Sequence, residues 1–142
     1  MRTLSTVAVA VIVAVLAGCG SSDGMSTPDG EWRAVSGISD GADVELVEDF
    51  DVTIGFDGDR LAGTAACNGY GGSVAIGDDG SFAAADLSWT EIGCEPAVMA
   101  VEQAYLTSLT RFTEYQLTAD LLTLRSGTDE WVFTGVAVAG GG

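Results

Sequence analysis

Cys19, Cys67 and Cys94, together with a large surplus of carboxylates, are the side chains that could do chemistry in a chain with no histidine and no lysine. Without His there is no Ser-His-Asp triad, no Cys-His pair and no His-ligated zinc, and without Lys no Ser-Lys dyad or Schiff base. Two carboxylates could still act as acid and base, as in glycoside hydrolysis, and Glu91, Glu95 and Glu102 lie close in sequence to Cys94. Glu91 and Glu95 read as solvent-facing. Asp57-Gly58-Asp59 and Asp78-Asp79-Gly80 do not continue with the oxygen spacing and distal Glu of a calcium loop, and read as turns. The inventory predicts no enzyme, no cofactor and no metal.

The first cysteine has a different setting. Arg2 and the apolar run Val7 to Leu16 form a short positive region and a hydrophobic segment well below the ~20 residues needed to span a bilayer, as in a signal peptide. The run ends in Leu16-Ala17-Gly18-Cys19, which resembles the lipobox of bacterial lipoproteins. That resemblance implies cleavage after residue 18 and a diacylglyceryl group on Cys19, two acyl chains being enough for stable anchoring. Residues 19–28, rich in Gly, Ser and Asp, read as a lipidated tether, and residues 29–138 as one domain followed by a frayed tail at 139–142. The expected location is the extracytoplasmic face of the cell membrane.

Charge narrows the partners. The chain carries 21 acidic residues against five basic ones, a formal net charge of −16. Nucleic acids and anionic headgroups need basic clusters, which are absent here, so membrane attachment falls to the lipid and no nucleic-acid partner is expected. The charge also favours solubility and disfavours self-association.

The elements that must position these residues are mostly strands. Five Asp-Gly pairs punctuate the chain, at Asp23-Gly24, Asp29-Gly30, Asp40-Gly41, Asp57-Gly58 and Asp79-Gly80, and supply the positive φ of tight turns. Between and after them the pattern predicts strands over Glu31–Ser36, Val44–Val47, Val52–Phe56, Leu61–Ala65, Ser73–Ile76, Phe82–Leu87, Glu114–Thr118, Leu121–Arg125 and Trp131–Val136. Val52, Ile54 and Phe56 define one inward face. Asn68 to Gly72 is too glycine-rich for a plain strand and predicts a bulge or close backbone approach, with Tyr70 packed beneath it. Val98, Val101, Tyr105, Leu109 and Phe112 recur at helical spacing and predict one amphipathic helix from Ala97 to about Arg111, with Glu95 and Glu102 early and Arg111 late as the helix dipole prefers. The fold class is α+β, mainly β: an antiparallel sheet curled into a barrel or half-barrel with one packed helix. Trp32, Trp89 and Trp131 could line a ligand site, but each also fits a strand with one buried face, and core packing is the preferred reading.

With Cys19 acylated, Cys67 and Cys94 remain as a pair. An oxidising compartment favours a disulfide, whereas a reactive thiol would need a nearby base or cation. Closing a loop of about 27 residues would contribute roughly 3.5 kcal/mol.

Gly63 to Gly72, GTAACNGYGG, resembles the G-x-x-x-C-N-x-Y/F-x-G segment of the META domain of bacterial envelope proteins, with Cys67, Asn68, Tyr70 and Gly72 in register. Thr90-Glu91-Ile92-Gly93-Cys94 is similar to its T-x-M-x-C, and Glu102, Tyr105, Leu106 and Leu109 to its E-x-x-F/Y-L-x-x-L helix. Gly30-Glu31-Trp32 resembles the opening G-x-W, and Tyr115-x-Leu117 with Leu122-x-Leu124 the closing strands; Ala34 and Ile92 depart from the usual Leu and Met. The resemblance implies a compact β-rich domain with the Cys67–Cys94 pair bridged, a structural role for Trp32, Gly63, Asn68, Tyr70, Gly72, Thr90, Glu102 and Leu109, with Glu102 making a buried or capping hydrogen bond, and a part in envelope stress tolerance or secretion. It implies no catalytic residue. The resulting expectation is a non-enzymatic envelope lipoprotein acting through contacts with an envelope protein or small molecule. The alternative is a β-barrel cavity for an apolar or glycan ligand.

Overall fold

The computed structural model describes residues 27–136. The signal peptide, Cys19, the tether up to Ser26 and the tail at 139–142 lie outside the described residues. The strands are β1 (Gly30–Ser39), β2 (Ala42–Asp43), β3 (Thr53–Asp57), β4 (Arg60–Ala65), β5 (Asn68–Ile76), β6 (Phe82–Trp89), β7 (Glu114–Thr118), β8 (Leu121–Arg125) and β9 (Glu130–Gly135). The helix α1 (Pro96–Leu109) is inserted between β6 and β7.

All strands pair antiparallel in the order β6-β5-β4-β3-β1-β9-β8-β7, with the two-residue β2 added to the far end of β1. The first and last strands are neighbours at the centre, so both halves of the chain depend on one β1–β9 ladder. The outer strands come together only where Ser81 bridges Glu114, with the Phe82 N–H donating to Thr113 O and the Tyr115 N–H to Gly80 O, each at 2.9 Å. Elsewhere they diverge, and the sheet is a half-barrel rather than a closed one.

Alternation places the core. Val52, Ile54 and Phe56 are buried together, as are Leu122 and Leu124 of β8 and Trp131 and Phe133 of β9. Helix α1 fills the concave side: the Tyr105 ring meets Tyr70, Trp131 and Phe133 edge-on, with centroids 5.5, 5.0 and 6.2 Å apart. Such pairs contribute about 0.5–1.5 kcal/mol each beyond their burial. The concave side is thus filled by side chains of α1 and the sheet.

Several local expectations change. Val44–Val47 is not a strand: Asp40 and Gly41, both at positive φ, make a tight turn that supports only two ladder pairs. The chain then leaves the sheet, with Val44 and Val47 packed against the core. The Gly-rich run does form strand, since β5 begins at Asn68; the bulge lies opposite it in β6, and the run supplies the close backbone approach. Gly71 pairs with Ser88 and Ser73 with Ala85, leaving Gly72 opposite both Asp86 and Leu87. A Cβ on Gly72 would lie 2.6 Å from Ala85 O, so only glycine fits.

The helix is shorter than predicted and does not follow the dipole pattern. Pro96 occupies its first turn, where a missing N–H costs nothing. Glu95 makes no side-chain cap, Glu102 points inward, and Arg111 lies beyond the end. Trp32 and Trp131 are core residues, but Trp89 is 45% exposed, which corrects the core reading for that tryptophan.

Candidate functional site

The sequence motif folds into a clasp. Hairpin β4–β5 places Asn68 at the start of β5, where its side chain is buried between the loop 90–95 and helix α1. The Asn68 backbone N–H donates to Glu102 Oε1 at 2.7 Å, and its Nδ2 donates to Glu102 Oε2 at 2.9 Å and Ile92 O at 3.0 Å. Asn68 Oδ1 accepts from Thr90 Oγ1 at 2.8 Å and from the Ile92 N–H at 2.6 Å. All the hydrogen-bonding capacity of this amide is used. Strand β5, the loop and the helix are held by one side chain.

The disulfide is formed beside it. Cys67 and Cys94 are joined at 2.03 Å with Cα atoms 6.1 Å apart, so the loop is fastened at its far end as well. Glu102 is buried at 5% exposure and both its oxygens are committed to Asn68. Glu91 and Glu95 are exposed. The three carboxylates considered for acid–base work are therefore in unlike settings, and the buried one is engaged with an amide.

Tyr70 reaches inward from β5. Its hydroxyl donates to Thr53 O at 2.7 Å and lies 2.6 Å from the Tyr105 hydroxyl. Because its single proton goes to Thr53 O, Tyr105 must be the donor between the two phenols. Burial pushes the Tyr70 phenol well above its ordinary range, and the neighbouring Tyr105 pushes it further. Burial likewise raises Tyr105. Both stay protonated as packing groups. Gly63 makes room for this arrangement: a Cβ there would sit 2.1 Å from Thr53 O, the carbonyl that Tyr70 needs.

Other predicted residues lie elsewhere. Trp32 and Leu109 belong to the hydrophobic core, and Gly72 to the β5–β6 bulge. Asp79 accepts from the Ser81 N–H at 3.0 Å and from Ser81 Oγ at 2.6 Å, which caps the turn and lowers its pKa. Cys19 lies outside the described residues.

Two features were not found from sequence. Asp129 is buried in the β8–β9 loop, where its Oδ1 accepts from the Asp40 N–H at 2.7 Å and its Oδ2 lies 3.6 Å from Arg111 Nη1. That last separation is an ion pair longer than a hydrogen bond. Arg111 also binds Asp40 at 2.6 Å, so the end of α1 is tied to two turns. A Ser-Gly-Thr-Asp loop carries no signal that its last residue is buried. The second feature is an open groove of about 950 Å³ between the segment after β2, including Val44, Leu46 and Val47, and Ala97, Ala100 and Ala104 of α1. A smaller one of about 430 Å³ lies on the other flank of the helix, against Trp89, Met99 and Leu106.

A half-barrel filled by one inserted helix, with a buried Asn–Glu clasp beside a disulfide, defines the class, and comparison with known proteins gives the family. The META domain model matches residues 25–137, and the chain belongs to the META-domain family. In structure it is similar to a protein from Burkholderia xenovorans solved by NMR, with TM-score 0.63 and 23% identity over 77% of this chain and 83% of that one. A second NMR structure matches with TM-score 0.60 and 20% identity, covering 78% and 95% of the two chains. A DUF4847 family protein from Bacteroides vulgatus matches with TM-score 0.54 and 15% identity, covering 75% and 92%. These likenesses concern the fold. No protein among curated sequences matches.

Proposed function

We propose that the chain is a lipid-anchored extracytoplasmic protein whose META domain acts by contact, without catalysis, in envelope integrity or the response to envelope stress. The observation that carries the contact reading is the commitment of the motif's polar groups to the fold. Asn68, Thr90, Glu102 and Tyr70 each bond another element, which leaves no free acid–base pair among them. The membrane location rests on Leu16-Ala17-Gly18-Cys19 and on an acidic surface that gives anionic headgroups nothing to bind.

The test is fractionation and intact mass of the full-length protein expressed in a bacterium. The parent should partition with membranes and carry a diacylglyceryl mass on a chain beginning at Cys19. Cys19→Ala should stay unprocessed and unlipidated, and should not restore stress tolerance to a strain lacking the protein. Processing of Cys19→Ala to the same lipid-bearing mass would refute the anchor. Turnover of a substrate by the purified protein, abolished at Glu91, Glu95 or Glu102 without unfolding, would refute the contact reading.

A further inference from the structure

Helix α1 is apolar in an unusual way. Its sequence PAVMAVEQAYLTSL contains one charged residue, Glu102, and that residue is buried. A helix lying on a protein surface ordinarily turns a charged face to water, whereas one without such a face is covered on all sides. Here the inner side packs on the sheet through Val98, Tyr105 and Leu109, while Ala97, Ala100 and Gln103 face outward uncovered. That uncharged outer face stands out in a chain with 21 acidic residues.

The uncovered face forms the floor of the larger groove, and Gln103 and Thr107 form the ridge it shares with the smaller one. Leu46, 36% exposed, and Trp89, 45% exposed, stand on opposite sides of the ridge. The segment that walls the larger groove is acidic: Asp43 and Glu45 line it and have no cationic partner within ion-pair distance among the described residues. An apolar floor beside an acidic wall selects an occupant with an apolar side and positive charge.

We infer that the outer face of α1, with the wall at Val44 to Val47, docks a cationic amphipathic peptide segment of a partner protein. The inference deepens the contact reading above and rests on it. A second copy of this chain is a poor occupant: it would bring another acidic wall, and of its four described arginines Arg33, Arg111 and Arg125 are already paired, which leaves only Arg60, with Asp57 and Asp59 just before it in sequence and no basic neighbour after it. A bilayer surface of anionic lipid would be repelled by the same wall.

The probe is a labelled helical peptide with leucines on one side and lysines on the other, titrated onto the whole protein in phosphatidylcholine vesicles with empty vesicles subtracted. It should bind saturably, one per protein, and at least tenfold more tightly than a version with glutamates in place of the lysines. Ala100→Arg and Gln103→Arg, at exposed positions, should each weaken binding at least tenfold with unchanged melting. Asp43→Asn with Glu45→Gln should weaken it about threefold to tenfold, and more at low salt than at high. Asp57→Asn with Asp59→Asn, at the distant β3–β4 turn, should stay within twofold of the parent. Equal losses from the two neutralised pairs, or parent-like binding by both arginine variants, would mean adsorption by overall charge and overturn the proposal. So would a dimer, seen by light scattering, that Ala100→Arg dissociates. If either arginine variant melts early, a photoreactive leucine in the peptide decides on the unaltered protein. Cross-links to residues 44–47 and 97–107 support the groove, and cross-links elsewhere overturn it. Failure here leaves Cys19-dependent membrane retention standing, so the two readings fail separately.

Discussion

The loop from Thr90 to Cys94 and the segment from Val44 to Phe50 are both irregular stretches lying against the same helix, yet they are held in opposite ways. The first is fixed by a disulfide and by Asn68, whose side chain bonds the loop through Thr90 and Ile92. The second is held by Val44 and Val47 packing inward and by sparse backbone bonds such as Val44 N–H to Gly37 O at 2.8 Å. Polar groups in the first region work on the fold; carboxylates in the second are left for solvent or a partner. The motif marks how the domain is closed, and the less patterned segment leaves its carboxylates exposed.

Substitutions should separate these roles, the largest effect coming from Asn68→Ala. It removes four side-chain hydrogen bonds and leaves the buried Glu102 carboxylate with one, at a cost of about 3–5 kcal/mol in urea unfolding. A cost below about 1 kcal/mol would show that the clasp contributes little. Next, replacing Cys67 and Cys94 with serine should lower stability by roughly 3.5 kcal/mol, the loop-closure value for a sequence separation of 27. Combining it with Asn68→Ala should cost less than the sum, because both fasten one loop.

Tyr70→Phe should cost about 2–3 kcal/mol, because it removes the bonds to Thr53 O and from the Tyr105 hydroxyl and leaves that buried hydroxyl without its acceptor. The tyrosine pair also gives a pH signature. Burial raises the folded-state values of Tyr70 and Tyr105, so above the unfolded value of about 10 the unfolded chain loses protons first. Stability from these groups is intact below pH ~10 and falls as pH rises beyond it, and Tyr70→Phe should flatten that fall in alkaline urea titrations. Trp89→Ala, on the open side, should change stability by no more than about 0.5 kcal/mol, while removing most of the fluorescence that an external quencher can reach.

Much of this division was legible in the sequence because it depends on local rules. Alternation gave the inward face of Val52, Ile54 and Phe56, and helical spacing placed Val98, Val101 and Tyr105 on the buried side of α1. The short predicted strand at Val44–Val47 failed because alternation cannot tell a paired strand from an extended segment whose ladder has run out. The family resemblance points to a buried or capping hydrogen bond for Glu102 but not to its partner: Asn68 lies 34 residues away, and only the folded chain brings them together. The exposure of Trp89 was hidden for a similar reason. It sits at the end of an edge strand, where the expected cover depends on the curl of the whole sheet.

Amide hydrogen exchange on the whole protein tests most directly the claim that the motif works on the fold. The account predicts that the Asn68 and Ile92 amides, bound to Glu102 and to Asn68 Oδ1, exchange as slowly as the central strands β1 and β9. Amides from Glu45 to Asp49 should exchange orders of magnitude faster. Fast exchange at Ile92, matching that exposed segment, would contradict it.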